Sequence, residues 1–343
     1  MGKKLKPLFF VKLFNYEYWP YLLFFLPLVP YWFLLAIRAK SLTFFTSANP
    51  GIEHGGIFGE SKMEILDMID KKYLPTSVLF EKSSNLKTVK ATLAKSMLTF
   101  PVIFKPDVGE RGNEVEKIDD TPMLEAYLSR IDEAFIAQEY VDFELELGVL
   151  YYKFPNAAGS GITSIVVKEF LSVVGDGTST LLTLLEQNDR ARFQIESLRA
   201  KFSMEQVLEK GAFLNLEPIG NHCRGTKFLS GMHLINDDLV KVFDDVSQDI
   251  KGFNFGRFDL KVKSIEDLMS GENIKILELN GVTSEPGHIY DPKWTLLKAY
   301  RDTAANMKVM MQVSVANMKL GVKPTPPAVI RKLLWKHLGP NLK

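Results

Sequence analysis

A mixed α+β fold is predicted by three features of the chain. Apolar runs of strand length, FPVIFKP near residue 100, GRFDLKV near 257 and IKILELNG near 275, read as short buried β-strands. Stretches with helical spacing, at 61–73, 86–99, 121–132, 236–252 and 293–320, read as helices. Between 134 and 174 strand-like segments dominate.

Taken in chain order, the elements have local causes. Helices at 61–73 and 86–99 precede a hairpin over 101–118 that turns around Gly109 and Gly112. Thr121 reads as the cap of the next helix, with Pro122 at its first position. After the strands of 134–174, GDG at 175–177 turns the chain, and LLTLLEQNDRAR continues as helix. A helix over 236–252 leads into the strands GRFDLKV and IKILELNG. The stretch VKPTPP is a linker, and AVIRKLLWKHLGP groups Val329, Leu333, Leu334, Trp335 and Leu338 with Arg331, Lys332, Lys336 and His337 as a basic amphipathic helix, suited to anionic lipid or to docking on its own domain. No repeat or low-complexity tract is present.

A chain of 343 residues supports two or three lobes, and a formal charge of +1 gives no reason to expect nucleic acid. One cysteine excludes an intrachain disulfide framework and points to a reducing compartment. Cys223 reads as a small packed residue rather than a reactive thiol.

The amino terminus is different. From Trp19 to Ile37 no residue is charged, and the run is close to the length a helix needs to cross a bilayer. Tyr16, Tyr18, Trp19, Tyr31 and Trp32 suit a membrane interface, while Pro20, Pro27 and Pro30 favour a kinked, re-entrant or interfacial segment over a straight span. Lys3, Lys4, Lys6 and Lys12 precede the run and Arg38 and Lys40 follow it, so orientation is undecided. A hydrophobic hairpin packed on the body or on a partner subunit fits the same residues. A cleaved signal is disfavoured by RAKSLTFF after the run. Three segments are expected: an apolar 1–58, a body over 59–320, and a linker with helix over 321–343.

The chemistry sits in two places. Residues i and i+2 of a strand face one way, so Glu278 and Asn280 reach a common point while Leu279 turns to the core, and Asp259 lies in the preceding strand. Two readings fit: oxygen ligands for a divalent cation such as Mg²⁺, or ordinary hydrogen bonds at strand ends. In FPVIFKPDVGERGNEV, Lys105 precedes a loop with Gly109 and Gly112, which suits a grip on phosphate or a plain hairpin turn. Neither a GKS/GKT motif nor GxGxxG is present. Of the histidines only His288, in TSEPGHIYDP, borders a candidate site, and a locally hydrogen-bonded loop residue explains it as well.

In order and spacing, FPVIFKP, the glycine loop, AQEYV, RFD and ELNG resemble the ATP-grasp superfamily of carboxylate–amine ligases, which includes D-alanine:D-alanine ligase, glutathione synthetase and cyanophycin synthetase. The resemblance covers about residues 60–315, and VVGDGTSTLLTLLEQNDRAR and NHCRGTKF are similar to segments of cyanophycin synthetase. It implies an ATP-grasp fold with two α+β lobes gripping ATP. It further implies Lys62 and Lys105 on ATP phosphates, Glu139 with the backbone near Tyr140 and Val141 on adenine, and Glu144, or alternatively Glu146, on the ribose. Asp259, Glu278 and Asn280 become ligands of Mg²⁺, or of Mn²⁺, and Arg257 steadies the transferred phosphoryl group. Lys168 and Arg224 are left to phosphate or carboxylate contact. The α/β domain that commonly precedes this fold in relatives is expected to be missing or replaced by the apolar segment.

The implied reaction passes a γ-phosphoryl group from ATP to a carboxylate, and an amine, or occasionally another nucleophile such as a thiol, attacks the acylphosphate. Positioning and charge neutralisation carry the first step, with no need for a protein nucleophile. A phosphotransferase that stops before ligation, or a nucleotide-binding membrane scaffold, is the alternative. The expected partners are ATP, an acid, an amine acceptor and membrane lipid at the cytoplasmic face of a membrane, with self-association left open.

Overall fold

The computed structural model describes residues 6–109, 112–157 and 159–338, with the side chains of His337 and Leu338 outside that description. Lys3 and Lys4 lie outside the described residues. Two antiparallel sheets carry the architecture. The first has the order β1-β4-β2-β3, from β1 (Ser77–Phe80), β2 (Val102–Pro106), β3 (Glu116–Ile118) and β4 (Phe135–Glu139). Helices Leu86–Lys95 and Thr121–Leu128 belong to the same core, in which Phe104, Tyr127 and Phe135 pack ring on ring. Asp120, not Thr121, caps the second helix, its carboxylate accepting from the Met123 amide at 2.9 Å. Asp120 has the extended backbone of a cap, and Thr121 already opens the helical turn.

The second sheet has the order β11-β10-β5-β6-β9, from β5 (Leu145–Lys153), β6 (Ser160–Glu169), β9 (Lys227–Ser230), β10 (Phe255–Val262) and β11 (Ile274–Asn280). Strand alternation divides its faces. Leu147, Val149, Tyr151, Phe258 and Leu260 face a core closed by helix Asp237–Ser247 through Leu239, Phe243 and Val246. On the opposite face, Leu150 and Phe255 meet the long helix Leu296–Lys319 and the amino-terminal segment, while Glu146, Gly148, Asp259 and Lys261 occupy the stretch beside them. A small two-stranded sheet, β7 (Ser172–Val174) with β8 (Phe213–Asn215), and three short helices form a satellite core around Leu181, Leu185 and Leu198.

Two expected helices are shorter than their sequence patterns. In 61–73, Ser61 caps Lys62–Leu66, and Asp70 then restarts the chain as the 3₁₀ turn Lys71–Tyr73. LLTLLEQNDRAR breaks at Asn188, whose side-chain oxygen Oδ1 accepts from the backbone amides of Arg190 and Ala191 and begins a new turn. The GDG segment is a turn as expected: the Asp176 carboxylate accepts from the amides of Thr178 and Ser179 at 2.8 and 2.7 Å. Gly175 is required there because a Cβ would stand 2.2 Å from the Glu209 carbonyl oxygen.

The amino-terminal run folds onto the body. Tyr21–Phe25 and Val29–Ala39 are helices joined by a 3₁₀ turn at Leu26–Leu28, where Pro27 sits. By length and composition, Tyr21–Ala39 would suffice to cross a membrane. Leu35 and Ala36 pack in the core with Phe44, Phe255 and Val313, and Phe24 packs with Ile289 and Ala299. Full burial of each of Phe24, Leu35 and Phe44 stabilises the attachment by about 2 kcal/mol.

Candidate functional site

The site is built on one face of β10. Arg257, Asp259 and Lys261 alternate there, and antiparallel pairing sets Asp259 opposite Gly148 of β5 and opposite Glu278 of β11. Asp259 is the hub. Its carboxylate accepts from Arg257 Nη2 at 2.9 Å and from Asn280 Nδ2 at 2.9 Å, and Lys168 Nζ of β6 lies 3.2 Å away. Lys168 also donates to Glu146 at 2.9 Å. Burial works against the charge on Asp259, yet Arg257 and Lys168 overcome it and hold the carboxyl below its ordinary range. Burial likewise opposes the charge on Lys168, and Asp259 and Glu146 outweigh it, so this ammonium is held above its ordinary value.

A bulge aims the two remaining oxygen donors. Leu260 pairs with Ile276 and Asp259 with Glu278, so Leu277 has no partner in the register. Ile274 and Ile276 face the core, and regular alternation would send Glu278 after them. With the extra residue, Leu279 is buried and Glu278 and Asn280 turn to the site. The carbonyl of Leu277 accepts from Lys105 Nζ at 2.9 Å.

Lys105 reaches across from the first sheet. It is buried, donates also to Gln138 Oε1 at 3.1 Å, and is pushed down to about 8 by burial, which Glu278 only partly offsets. Lys62 pins the start of the glycine loop, donating to the Gly109 carbonyl at 2.5 Å, and Arg224 pins its end, donating to the Gly112 carbonyl at 2.6 Å. Gly112 has φ +70°, and a Cβ there would meet Asn221 Nδ2 at 2.6 Å. Glu110 and Arg111 between them lie outside the described residues.

At the junction of the sheets, Glu139 is exposed and its Oε2 accepts from the Thr76 amide at 3.0 Å. Tyr140 and Val141 follow directly, with Val141 buried. Sequence reasoning missed Lys261, which donates to the carbonyls of Val141 at 3.0 Å and Phe143 at 3.3 Å and so fixes this crossing to β10. Its signal was the alternation of Arg257, Asp259 and Lys261 in one strand. Of the two carboxylates weighed for the ribose, Glu144 is exposed, and Glu146 is buried and paired with Lys168. Gly220 closes over it, where a Cβ would stand 2.1 Å from Glu146 Oε1.

His288 does not reach this cluster through a hydrogen bond. It is buried, with Nδ1 2.7 Å from Ser164 Oγ and Nε2 3.3 Å from Asp302, a packed polar pair and not a local loop contact. Cys223 is exposed, contrary to the packed role expected for it, because it lies in the short turn His222–Arg224.

Two carboxylates and one amide oxygen on adjacent strand ends suit a hard cation that takes its other ligands from phosphate and water. Asn280 fits this use, since its amide nitrogen is engaged by Asp259 and its oxygen is the atom left to face an ion. Buried charge in this density is expensive, and it marks a place where charge is used rather than one that merely adds stability.

Two antiparallel sheets of an α+β fold thus meet at a cluster of charged side chains. No protein-family model matches the sequence, and no curated protein matches it. Among solved structures the chain is similar to the VanG D-Ala:D-Ser ligase from Enterococcus faecalis, at 14% identity and TM-score 0.43, over 75% of this chain and 61% of that one. It is similar also to a bifunctional glutathione synthetase from Pasteurella multocida, at 14% identity and TM-score 0.38, over 73% of this chain and 36% of that one. A D-alanine–D-alanine ligase from Bacillus anthracis complexed with ATP matches at 12% identity and TM-score 0.39, over 76% and 66% of the two chains. At such TM-scores the functional reading rests on the geometry of the site.

Proposed function

We propose that this protein is an ATP- and magnesium-dependent ligase that activates a carboxylate as its acylphosphate, joins it to an amine, and works at a membrane surface. The observation that carries the reading is the cluster of Lys105, Lys168 and Arg257 with Asp259, Glu278 and Asn280, in which Lys105 and Asp259 are buried and Arg257 and Lys168 pair directly with Asp259. Asp259, Glu278 and Asn280 would hold Mg²⁺, which when bound neutralises phosphate charge.

The chain's own residues do the rest. Lys105 and Lys62 bind phosphate oxygens, and the glycine loop closes over them. Glu139, with the backbone of Tyr140 and Val141, binds the adenine edge, and Glu146 rather than Glu144 faces the ribose. With phosphates present, Arg257 leaves part of its pairing with Asp259 to steady the phosphoryl group in transfer, while the acceptor carboxylate is held in line. The apolar amino-terminal run supports the membrane location, on the cytoplasmic side if the reducing compartment inferred from the single cysteine holds.

The test is trapping. Protein, ATP, Mg²⁺ and a lysate extract are incubated with hydroxylamine, which converts an acylphosphate into a hydroxamate that mass spectrometry identifies. A hydroxamate formed by the wild type and not by Lys105→Met supports ligase chemistry. A stable phosphorylated product with no hydroxamate selects the phosphotransferase alternative, and absence of any ATP-dependent thermal stabilisation overturns the site itself.

A further inference from the structure

The amino-terminal segment has two unlike faces. Inward, Val11, Phe24, Leu28, Leu35, Ala36 and Ala39 are buried. Outward, Phe14 is 78% exposed, Leu22 79%, Leu26 64% and Ile37 73%. The charges are sorted in the same way. Between Lys6 and Lys40 the only carboxylate is Glu17, which points inward to pair with Arg190 at 2.5 Å. Lys6, Lys12, Arg38 and Lys40 are exposed. The segment's outward side chains are therefore apolar, and its own exposed charges are all positive, which complements an anionic bilayer surface.

The same segment packs on the chain that follows β11. The Tyr16 hydroxyl donates to the carbonyls of Ile289 and Trp294, and the ring of Phe24 packs on those of Tyr290 and Tyr300. The Tyr290 hydroxyl donates to Glu285 Oε2 at 2.5 Å. Burial, and then Glu285, push the Tyr290 phenol well above its ordinary value. Glu285 in turn lies within electrostatic reach of Arg257, adding to the pull of Asp259 and Glu278 on its charge. Ser284, the residue before Glu285, donates to the Asn280 carbonyl at 2.9 Å, so the loop beneath the segment is tied to the strand end that carries the site.

We propose that residues 7–39 lie flat in one leaflet of an anionic phospholipid membrane and that the acid or amine reaching Arg257 is an amphiphile whose tail stays in that leaflet. The second half rests on the ligase reading above; the first does not. A transmembrane placement would strip Phe24 and Leu35 from the cores they fill and break the Glu17–Arg190 pair.

Full-length protein is floated with vesicles of phosphatidylcholine, alone or mixed with phosphatidylglycerol. Binding is expected with the mixed vesicles. A triple variant, Leu22→Glu, Leu26→Glu and Ile37→Glu, should lose about tenfold or more of its bound fraction with an unchanged melt, since all three side chains face out. For depth, a fluorophore is placed at Leu22→Cys or at Ile37→Cys in a Cys223→Ser background, and quenching is compared between nitroxides at the headgroup and at the acyl end. In-plane docking predicts equal, shallow quenching at both positions. A straight span separates them by about 22 Å and quenches them unequally, which overturns the proposal; so does failure to float with either vesicle. Hydroxylamine trapping is then repeated with the lipid and aqueous fractions of the extract separately. A hydroxamate from the lipid fraction supports the amphiphile. One formed only from the aqueous fraction removes the amphiphile and leaves the ligase standing, whereas flotation without ATP-dependent stabilisation removes the ligase and leaves the docking.

Discussion

Replacing Lys105 by methionine should change how stability depends on pH in a direction fixed by burial. In the folded protein this ammonium is pushed down from 10.5 to about 8, chiefly by burial. The unfolded chain therefore binds more protons than the folded one between pH 8 and 10.5, and stability rises with pH across that window. Below pH 8 the charged group costs the folded state about 3 kcal/mol, from 1.36 kcal/mol per pKa unit, and about 2.5 kcal/mol of that should be recovered by pH 10. Tyr151 and Lys168 shift upward and work the other way at high pH, so the quantity to measure is the difference between wild type and Lys105→Met, by urea unfolding at pH 7 and pH 10. The wild type should gain on the variant by about 2 kcal/mol between the two. Parallel stability curves would mean that Lys105 is not desolvated by its burial and would remove the physical basis for its role on phosphate.

Glu278→Gln should abolish most magnesium-dependent ATP turnover while the melting temperature stays within about 4 °C of wild type, because a lost negative ligand is not replaced by an amide; turnover at the wild-type level would remove Glu278 from the metal site. Gly148→Ala puts a Cβ 3.0 Å from Asp259 Oδ1 and 2.9 Å from Val166 Cγ1. It should cost about 1–3 kcal/mol of stability and, by displacing Asp259, about 10- to 100-fold in turnover, read by melting and by ADP release. Glu139→Ala should narrow the preference for ATP over GTP more than it lowers maximal rate; an unchanged ratio of specificity constants would count against the adenine assignment.

Arg257 and Asp259 were legible because polar side chains are rare in so apolar a run, and the two-residue period of a strand face, carried one step further, would have reached Lys261. Glu144 and Glu146 share that parity. Choosing between them required knowing that β5 starts at Leu145, a boundary set by pairing with β10 rather than by local composition. The amino-terminal segment shows the same limit: buried Phe24, Leu28 and Leu35 and exposed Leu22, Leu26 and Ile37 are chemically alike. A hydrophobic residue records that it avoids water, and only the fold decides whether core or lipid does the shielding. Contacts between distant segments, such as Tyr16 with Ile289 or Glu17 with Arg190, left no local trace at all.

The unpaired residue at Leu277 makes the chemistry sensitive to chain length in a way that substitution would not reveal. Deleting it would leave every charged group in the sequence and set Glu278 directly after core-facing Ile276, still opposite Asp259 and on the site face, yet it would take away the carbonyl that holds Lys105. Pairing in perfect step would keep the carboxylate in place and release the lysine that reaches over from the other sheet, so the extra residue in this strand serves the cation rather than the anion.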